Sequence, residues 1–321
     1  MSIVRPALFP DEFAQGYLGR ALQINGLNRK DRLGAIAFLR SVAGVPSAPG
    51  LPIVEFMAHF AGVSFDSFLR GHTTIPLRRA IVRNPSSASL KNCSLAALSL
   101  GMTGLRPGAY LCEHCVEEDI DFHGQSYWRR EHQLPGLFWC PKHLRPLVVS
   151  DDDRAFLHTP AAVAPKAQPL DAKWVERIMS HKVIDRFASV VSELATAGQS
   201  LPEEKVALAL RPLLESHGIH VGYGQVVRPL LSDVLCDSVD ERWLRSVIPG
   251  LLEQPRGVHW RPVDGASVGA ALFITPVVYL VAFAMICRSA DEAVHALLAS
   301  AEDANSSKRS VRQPGRMPEI H

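Results

Sequence analysis

The sequence has little net charge, few cysteines and no recognisable catalytic motif. Its 321 residues include 34 lysines and arginines and 32 acids, and this net charge of +2 does not by itself predict nucleic-acid binding. Six cysteines in so long a chain do not form the disulfide framework of a small secreted protein. We therefore expect reduced thiols and a cytoplasmic protein. No continuous apolar stretch follows Arg5, so we also expect no signal peptide.

Catalytic motifs are missing as well. The sequence contains neither HExxH nor GxxxxGK, and it lacks the H-x-E and P-C-x-x-C pattern of zinc deaminases. Gly222-Tyr223-Gly224 begins like a dinucleotide-binding loop, but Val227 stands where the third glycine belongs. We therefore predict that the protein is not an enzyme.

One long uncharged run could be mistaken for a membrane span. Residues 266–287 carry no charge and could cross a bilayer about 30 Å thick. Thr275 and Pro276, however, suit the N-cap and first position of a new helix, which would divide the run into two short pieces. A buried core helix is the preferred prediction over a membrane span, and we expect no membrane partner.

Apolar residues at helical spacing predict a mainly α protein. The predicted helices cover residues 11–25, 32–42, 53–61, 65–70, 172–196, 203–217, 226–236, 239–253, 276–287 and 290–301. Capping boxes at Ser238–Glu241 and Ser289–Glu292 mark two helix starts. The pair 53–61 and 65–70, joined by Gly62-Val63-Ser64, fits a DNA-reading helix–turn–helix and an ordinary αα-corner equally well.

Two short pairs of metal-ligand residues stand in the middle of the chain. Cys112 and Cys115 form a CxxC pair, Cys140 and His143 form a CxxH pair, and 24 residues separate the two. Three thiolates and an imidazole make the closed tetrahedral set of structural Zn²⁺, which leaves no position for a catalytic water. We therefore predict one structural zinc ion bound by these four residues. Reduced core cysteines that share this spacing by chance are the alternative.

Three other histidines compete for the place of the fourth ligand: His114, His123 and His132. We expect His132 to orient the fold through hydrogen bonds, and to be the first substitute if His143 points away. These alternatives stay open in the sequence.

Four arginines follow the predicted helix–turn–helix without an intervening acid. They are Arg70, Arg78, Arg79 and Arg83. A local cluster of this kind favours contact with phosphate, so these residues are the candidates for DNA contact by charge alone. Solvated surface arginines are the alternative.

These features predict four parts. They are an N-terminal helical domain with the helix–turn–helix over residues 1–85, a small zinc-ribbon-like module over 86–155, a helical, helix–turn–helix-like C-terminal domain over 156–302, and a disordered tail over 303–321. A connector rich in Ser and Asn (84–98) and a loop rich in Ala and Pro (151–171) mark the boundaries.

The middle of the sequence resembles the zinc-binding signature of the TniQ/TnsD family. The similar segments are Tyr110-Leu111-Cys112-x-x-Cys115, Tyr127-Trp128-Arg129-Arg130-x-His132-Gln133-Leu134-Pro135-Gly136 and Cys140-Pro141-Lys142-His143. The opening helix, from Pro10-Asp11-Glu12 to Asn25-Gly26-Leu27, and Thr73-Thr74-Ile75-Pro76 are also similar to that family. The likeness covers roughly residues 8–150, and Leu213–Leu235 resembles the longer TnsD-like members only loosely.

This resemblance implies a non-catalytic target-site selector of a bacterial Tn7-like transposition system. Such a protein binds double-stranded target DNA, or docks on an RNA-guided CRISPR effector, and recruits an AAA+ ATPase that brings in the transposase. A homodimer is compatible with that role. The alternative is a self-sufficient, sequence-specific, zinc-containing protein that binds DNA at an attachment site. A zinc hydrolase or nuclease is the third candidate, and it would need an exchangeable metal-bound water.

Overall fold

A computed structural model of the protein describes residues 3–27, 31–42, 52–83, 104–198, 200–222, 229–270 and 276–299. Several predictions concern residues outside these ranges. They are the connector 84–98, the tail 303–321, the start of the helix predicted over 226–236, and the end of the helix predicted over 290–301.

The N-terminal part is a group of short helices that surround one apolar core. Its helices are Ala14–Ile24, Arg32–Val42, Ile53–Ala61, Phe65–His72 and Ile75–Arg78. The hydroxyl of Ser64 accepts a hydrogen bond from the Ser67 amide at 3.1 Å, so Ser64 is the N-cap that the sequence predicts. The helix that follows was predicted to end before Gly71, but it continues to His72.

The middle of the chain forms a small antiparallel sheet of three strands. Strand β2 (Ala109–Leu111) pairs with β3 (Val148–Ser150), which pairs with β4 (Gln168–Pro169). A helix, Glu113–His123, follows β2 directly. We call it the knuckle helix. Because β4 lies beyond residue 155, the sheet draws on part of the segment that was predicted to be a loop. The division into domains itself stays a prediction.

A second, two-stranded sheet ties the N-terminal helices to the C-terminal half. Strand β1 (Ile81–Val82) pairs in parallel with β5 (Leu201–Pro202). Directly after β1, the Arg83 Nε donates to the Glu203 Oε2 at 3.1 Å. This carboxylate, which is 2% exposed, also accepts a bond from the Tyr279 hydroxyl at 2.8 Å.

The C-terminal half is helical, as predicted, but its elements are shorter. The helices are Pro160–Val163, Ala172–Met179, Lys182–Thr196, Glu203–Ser216, Leu231–Ser238, Glu241–Val247, Arg261–Asp264, Val277–Ile286 and the run 290–299. Single 3-10 turns lie at Glu131–Gln133, Ala155–Leu157, Ala164–Lys166 and Gly265–Val268. The predicted helix 172–196 is two helices that meet at Ser180 and His181.

The two predicted capping boxes have different outcomes. Asp240, rather than Ser238, caps the helix Glu241–Val247, because its carboxylate accepts from the Trp243 amide at 3.0 Å. At the other predicted capping box, the Ser289 hydroxyl accepts from the Glu292 amide at 3.1 Å, as expected.

The uncharged run ends in a core helix. In Val277–Ile286 every residue except Met285 is buried. A new helix begins at this point as predicted, but Pro276 is its N-cap rather than its first residue, and Thr275, the predicted N-cap, lies outside the described residues. Within the part of the chain that the structure describes, no helix has the length and apolar character needed to cross a bilayer.

Candidate metal centre

The first ligand pair lies where a strand passes into a helix. Cys112 follows β2 and is the N-cap residue of the knuckle helix, and Cys115 lies in its first turn. The Val116 amide donates to the Cys112 carbonyl at 3.0 Å, which closes that turn. Both sulfurs therefore lie near a helix N-terminus, where backbone amides and the helix dipole favour negative charge.

The second pair lies on a tight turn. The Leu144 amide donates to the Cys140 carbonyl, and the Cys140 amide donates to the Arg145 carbonyl, both at 2.8 Å. Leu144 has a φ of 50°, a left-handed conformation that a leucine rarely adopts. The turn that brings His143 back towards Cys140 thus requires local backbone strain, and the surrounding contacts must hold it.

The four side chains meet at one point. The ligand atoms of Cys112, Cys115, Cys140 and His143 all lie within 4.8 Å of one another. The His143 Nδ1 is 3.4 Å from the sulfurs of Cys112 and Cys115 and 3.5 Å from that of Cys140, and the Cys115 and Cys140 sulfurs are 3.6 Å apart.

These distances suit a tetrahedral ion. Bonds of about 2.3 Å to sulfur and about 2.1 Å to nitrogen imply tetrahedron edges of about 3.8 Å between sulfurs and about 3.6 Å from sulfur to nitrogen. The three sulfur–nitrogen distances and the Cys115–Cys140 sulfur distance agree with these values within a few tenths of an ångström. The donor set of three thiols and one imidazole is therefore compatible with a metal site, both in chemistry and in size.

The three thiols differ in acidity because their sulfurs lie close together. Hydrogen bonds from Cys115 and Cys140 lower the pKa of the Cys112 thiol. The hydrogen bond with Cys112 raises the pKa of the Cys140 thiol to about 11, since sulfurs this close cannot all carry a negative charge. Burial and the same neighbours raise the pKa of Cys115 also, the contact with Cys112 being the largest cause. A divalent cation between the sulfurs would reverse this balance and release the protons.

The rival imidazoles lie elsewhere. The His114 ring centroid is 5.6 Å from that of His143, and the His123 ring packs against Phe9 at 4.6 Å. His132 is 2% exposed, and its Nε2 has no hydrogen-bond partner among the described residues. We expected the His132 side chain to orient the fold by hydrogen bonding. The bond that the structure shows is made by its backbone carbonyl, which accepts from the Arg106 guanidinium.

The segment from Tyr127 to Gly136, between the two ligand pairs, forms a structural joint rather than a ligand site. The Arg130 guanidinium donates to the Asp11 carboxylate at 2.8 Å, to the Arg70 carbonyl at 3.0 Å and to the Ala195 carbonyl at 2.7 Å. One side chain therefore links the N-terminal helices, the metal-binding region and the helix Lys182–Thr196. Asp11 can accept because its φ of 53° turns it out of the helix that we expected to begin there.

Two more residues of this segment have a structural task. The side-chain amide of Gln133 donates to the Tyr110 carbonyl at 2.7 Å and accepts from the Tyr110 amide at 3.1 Å, as a neighbouring strand would. Gly136 has a φ of 75°, and a Cβ there would lie 2.7 Å from the Phe187 ring. Its carbonyl accepts from the Trp243 indole at 2.9 Å. The segment therefore docks the metal-binding region on the C-terminal helices.

At least three of the four arginines that were candidates for DNA contact bind other groups of the protein. Arg70 pairs with Asp66 at 2.6 Å, and Arg83 pairs with Glu203 at 3.1 Å. Arg78 donates to the Gly104 carbonyl at 2.7 Å, and burial lowers its pKa. Arg79 follows the helix Ile75–Arg78 and is half-buried. Arg70, Arg78 and Arg83 are thus engaged within the protein, and contact of the four arginines with DNA stays a prediction.

Sequence reasoning missed Arg130, Gln133 and Glu118, which contacts His143. The first two stand in the quoted motif, but a motif does not say which partner each side chain meets. Glu118 stands three residues after Cys115, one helical turn further along the knuckle helix, and that spacing could have identified it.

Comparison with known proteins agrees with the resemblance. Residues 3–147 match the model of the TniQ family, and the match includes all four residues of the cluster. No curated protein matches the chain.

Proposed function

We propose that this chain, whose residues 3–147 match the TniQ family model, acts as a non-catalytic adaptor for target-site selection in a Tn7-like transposition system. The observation that carries the proposal is the Cys₃His cluster inside the matched segment. This cluster is closed by four protein ligands, so it supports a structural role and offers no position for a reacting water.

The ion that suits the cluster best is Zn²⁺. Thiolates and imidazole are the ligands that zinc prefers, and a closed tetrahedron of four protein ligands is its usual structural site. Cys112, Cys115, Cys140 and His143 would hold it. The ion would fix the strand-to-helix junction against the tight turn, and so keep the Arg130 joint aligned with Asp11 and Ala195.

An adaptor needs surfaces rather than an active site. We propose double-stranded DNA or an RNA-guided CRISPR effector as the target-side partner, and an AAA+ ATPase as the partner that receives the signal. Support for the first comes from the helix pair Ile53–Ala61 and Phe65–His72, which has the length and turn of a helix–turn–helix. The pairing of Arg70 and Arg83 with acids favours the adaptor over the self-sufficient DNA binder, because paired arginines contribute less to phosphate binding.

A transposition assay tests the proposal. Cells would carry a marked element with its transposase and ATPase, with this protein present, absent, or as Cys112→Ser. We expect insertions at the chosen target only with the wild-type protein, read by sequencing the insertion junctions. Cys236→Ser, a half-buried thiol outside the cluster, is the matched control and should act as wild type. Equal targeting without the protein would reject the role.

Two binding measurements separate the alternatives. A gel shift over a salt series should show weak, steeply salt-dependent binding to any duplex, whereas strong preference for one attachment site would favour the self-sufficient DNA binder. Nuclease activity that a chelator abolishes would favour the hydrolase.

A further inference from the structure

Glu118, a residue outside the four-residue cluster, touches one of its members. The Glu118 Oε1 is 3.0 Å from the His143 Nε2, and its Oε2 contacts the Lys142 ammonium. We propose that Glu118 is a positioning residue of the metal centre: it accepts the Nε2 proton of His143 in a hydrogen bond and so directs Nδ1 towards the ion. This inference rests on the zinc site proposed above.

The two nitrogens of His143 face different partners. Nδ1 lies 3.4–3.5 Å from the three sulfurs, on the side where the ion would sit. A neutral imidazole that binds a metal through one nitrogen carries its proton on the other. Nε2 is therefore the donor, and an acceptor at 3.0 Å selects this tautomer and holds the ring plane. Without such an acceptor the ring could turn and offer Nε2 instead.

Lys142 holds the carboxylate itself in place. It precedes His143 in the chain, and its ammonium pairs with the second oxygen of Glu118. One oxygen is thus left for the imidazole, and both contacts join the knuckle helix to the tight turn. Glu118 is about half exposed, so water competes with these contacts and the effect on metal affinity should be moderate rather than decisive.

The neighbouring acid supplies a matched control. Glu117 stands on the same helix, is more exposed, and lies 3.4 Å from the Nδ1 of His114, which is not a member of the cluster. A substitution at Glu117 removes the same charge from the same helix turn. It therefore reports the general electrostatic effect of a nearby carboxylate, without the contact to His143.

The experiment measures zinc affinity of the full chain by competition with a chromogenic chelator. We expect Glu118→Ala to raise the apparent Kd for zinc about tenfold or more, the range found when the outer partner of a histidine ligand is removed. Glu118→Gln, whose amide oxygen still accepts from Nε2, should recover most of the affinity, and Glu117→Ala should match wild type. Lys142→Met should lose less than Glu118→Ala, because the imidazole keeps its acceptor.

A second readout follows the tautomer directly. In ¹⁵N-labelled zinc-loaded protein, we expect the Nε2 proton of His143 to exchange slowly with solvent. Its exchange should be faster in Glu118→Ala and unchanged in Glu117→Ala. Equal affinity and equal exchange in the two alanine variants would overturn the inference while leaving the zinc site intact. A wild-type protein that holds no zinc would overturn the site and the inference together.

Discussion

The metal-binding region and the C-terminal helices are held together by different forces. The helix Val277–Ile286 is buried on nearly all sides, and its neighbours add a large apolar core. The region around Cys112 and Cys140 has a sheet of three short strands and one amphipathic helix, with charged groups such as Asp119 and Arg130 inside it. The C-terminal part depends mainly on the removal of apolar surface from water. The metal-binding region combines a smaller apolar cluster, which includes Leu111, Trp128 and Val148, with the ligand cluster and buried polar bonds.

This difference follows from size. A module of about 45 residues cannot bury enough apolar surface to offset the loss of chain entropy, so metal binding becomes part of its folding energy. The C-terminal half has no such need. The two parts nevertheless share a core, because Phe138 and Trp139 next to the second ligand pair belong to the same apolar cluster as Trp243. A substitution in one part should therefore affect that part most, but it should also change the stability of the other part.

The largest expected effect comes from the removal of a ligand. Cys140→Ser should lose the metal and unfold the middle region, because apparent zinc-binding energies in small domains reach about 10 kcal/mol or more. The measurement is zinc content by mass spectrometry, together with near-ultraviolet circular dichroism. A variant that stays metal-free and folded would show that the two regions are stabilised alike. Cys236→Ser should keep both zinc and signal.

A cavity in the C-terminal core should cost less and leave the metal in place. Phe283 is fully buried, so Phe283→Ala should lower the free energy of unfolding by about 3–5 kcal/mol through lost burial and a residual cavity. Urea denaturation measures this. Leu208→Ala, at a leucine that is 63% exposed, is the control and should change stability little. Loss of zinc from folded Phe283→Ala would contradict the separation of the two forces.

The joint between the regions is the next target. Arg130→Met removes one charge and three hydrogen bonds, and it leaves the Asp11 carboxylate and the Ala195 carbonyl without this donor. We expect a loss of about 2–3 kcal/mol, because the buried Ala195 carbonyl would lose this donor and the Asp11 carboxylate would lose its charged partner. Hydrogen exchange should show the loss along Lys182–Thr196 as well as near Asp11. Arg154→Met, at an exposed arginine, should leave the free energy of unfolding unchanged. An equal loss of stability in this control would contradict the special role of Arg130.

The smallest expected effect is a dependence of the stability on pH. Burial lowers the pKa of His132 to about 3, so the folded protein keeps this ring neutral while the unfolded chain takes up a proton below a pH of about 6.5. Stability should therefore fall as the pH falls, by about 2 kcal/mol from this group at pH 5. Urea titrations of wild type and His132→Gln at pH 7 and pH 5 measure it, both zinc-loaded. The pH dependence should be weaker in the variant, and parallel curves would refute the buried neutral ring.

Much of the local structure was predictable from the residues. Ser64 as a cap, Pro276 as a helix start, and the apolar run 277–286 as a core helix follow from rules that act over a few residues. The predictions were wrong where a residue's contacts with distant parts of the chain determine its conformation. Asp11 was expected to begin a helix, but it turns out to meet Arg130, and Asp240 replaces Ser238 as a cap while its carboxylate also accepts from the Trp174 indole at 2.9 Å.

The four ligand candidates could be named from their spacing alone, because a tight turn places two such residues side by side whatever the rest of the fold does. That His143 approaches through Nδ1, that His132 is buried away from the cluster, and that Glu118 meets Nε2 were decided only by the tertiary structure. The reason is physical: ligand type and local spacing are properties of a few consecutive residues. The choice among imidazoles, and the orientation of the one chosen, depend on how separate parts of the chain pack against each other.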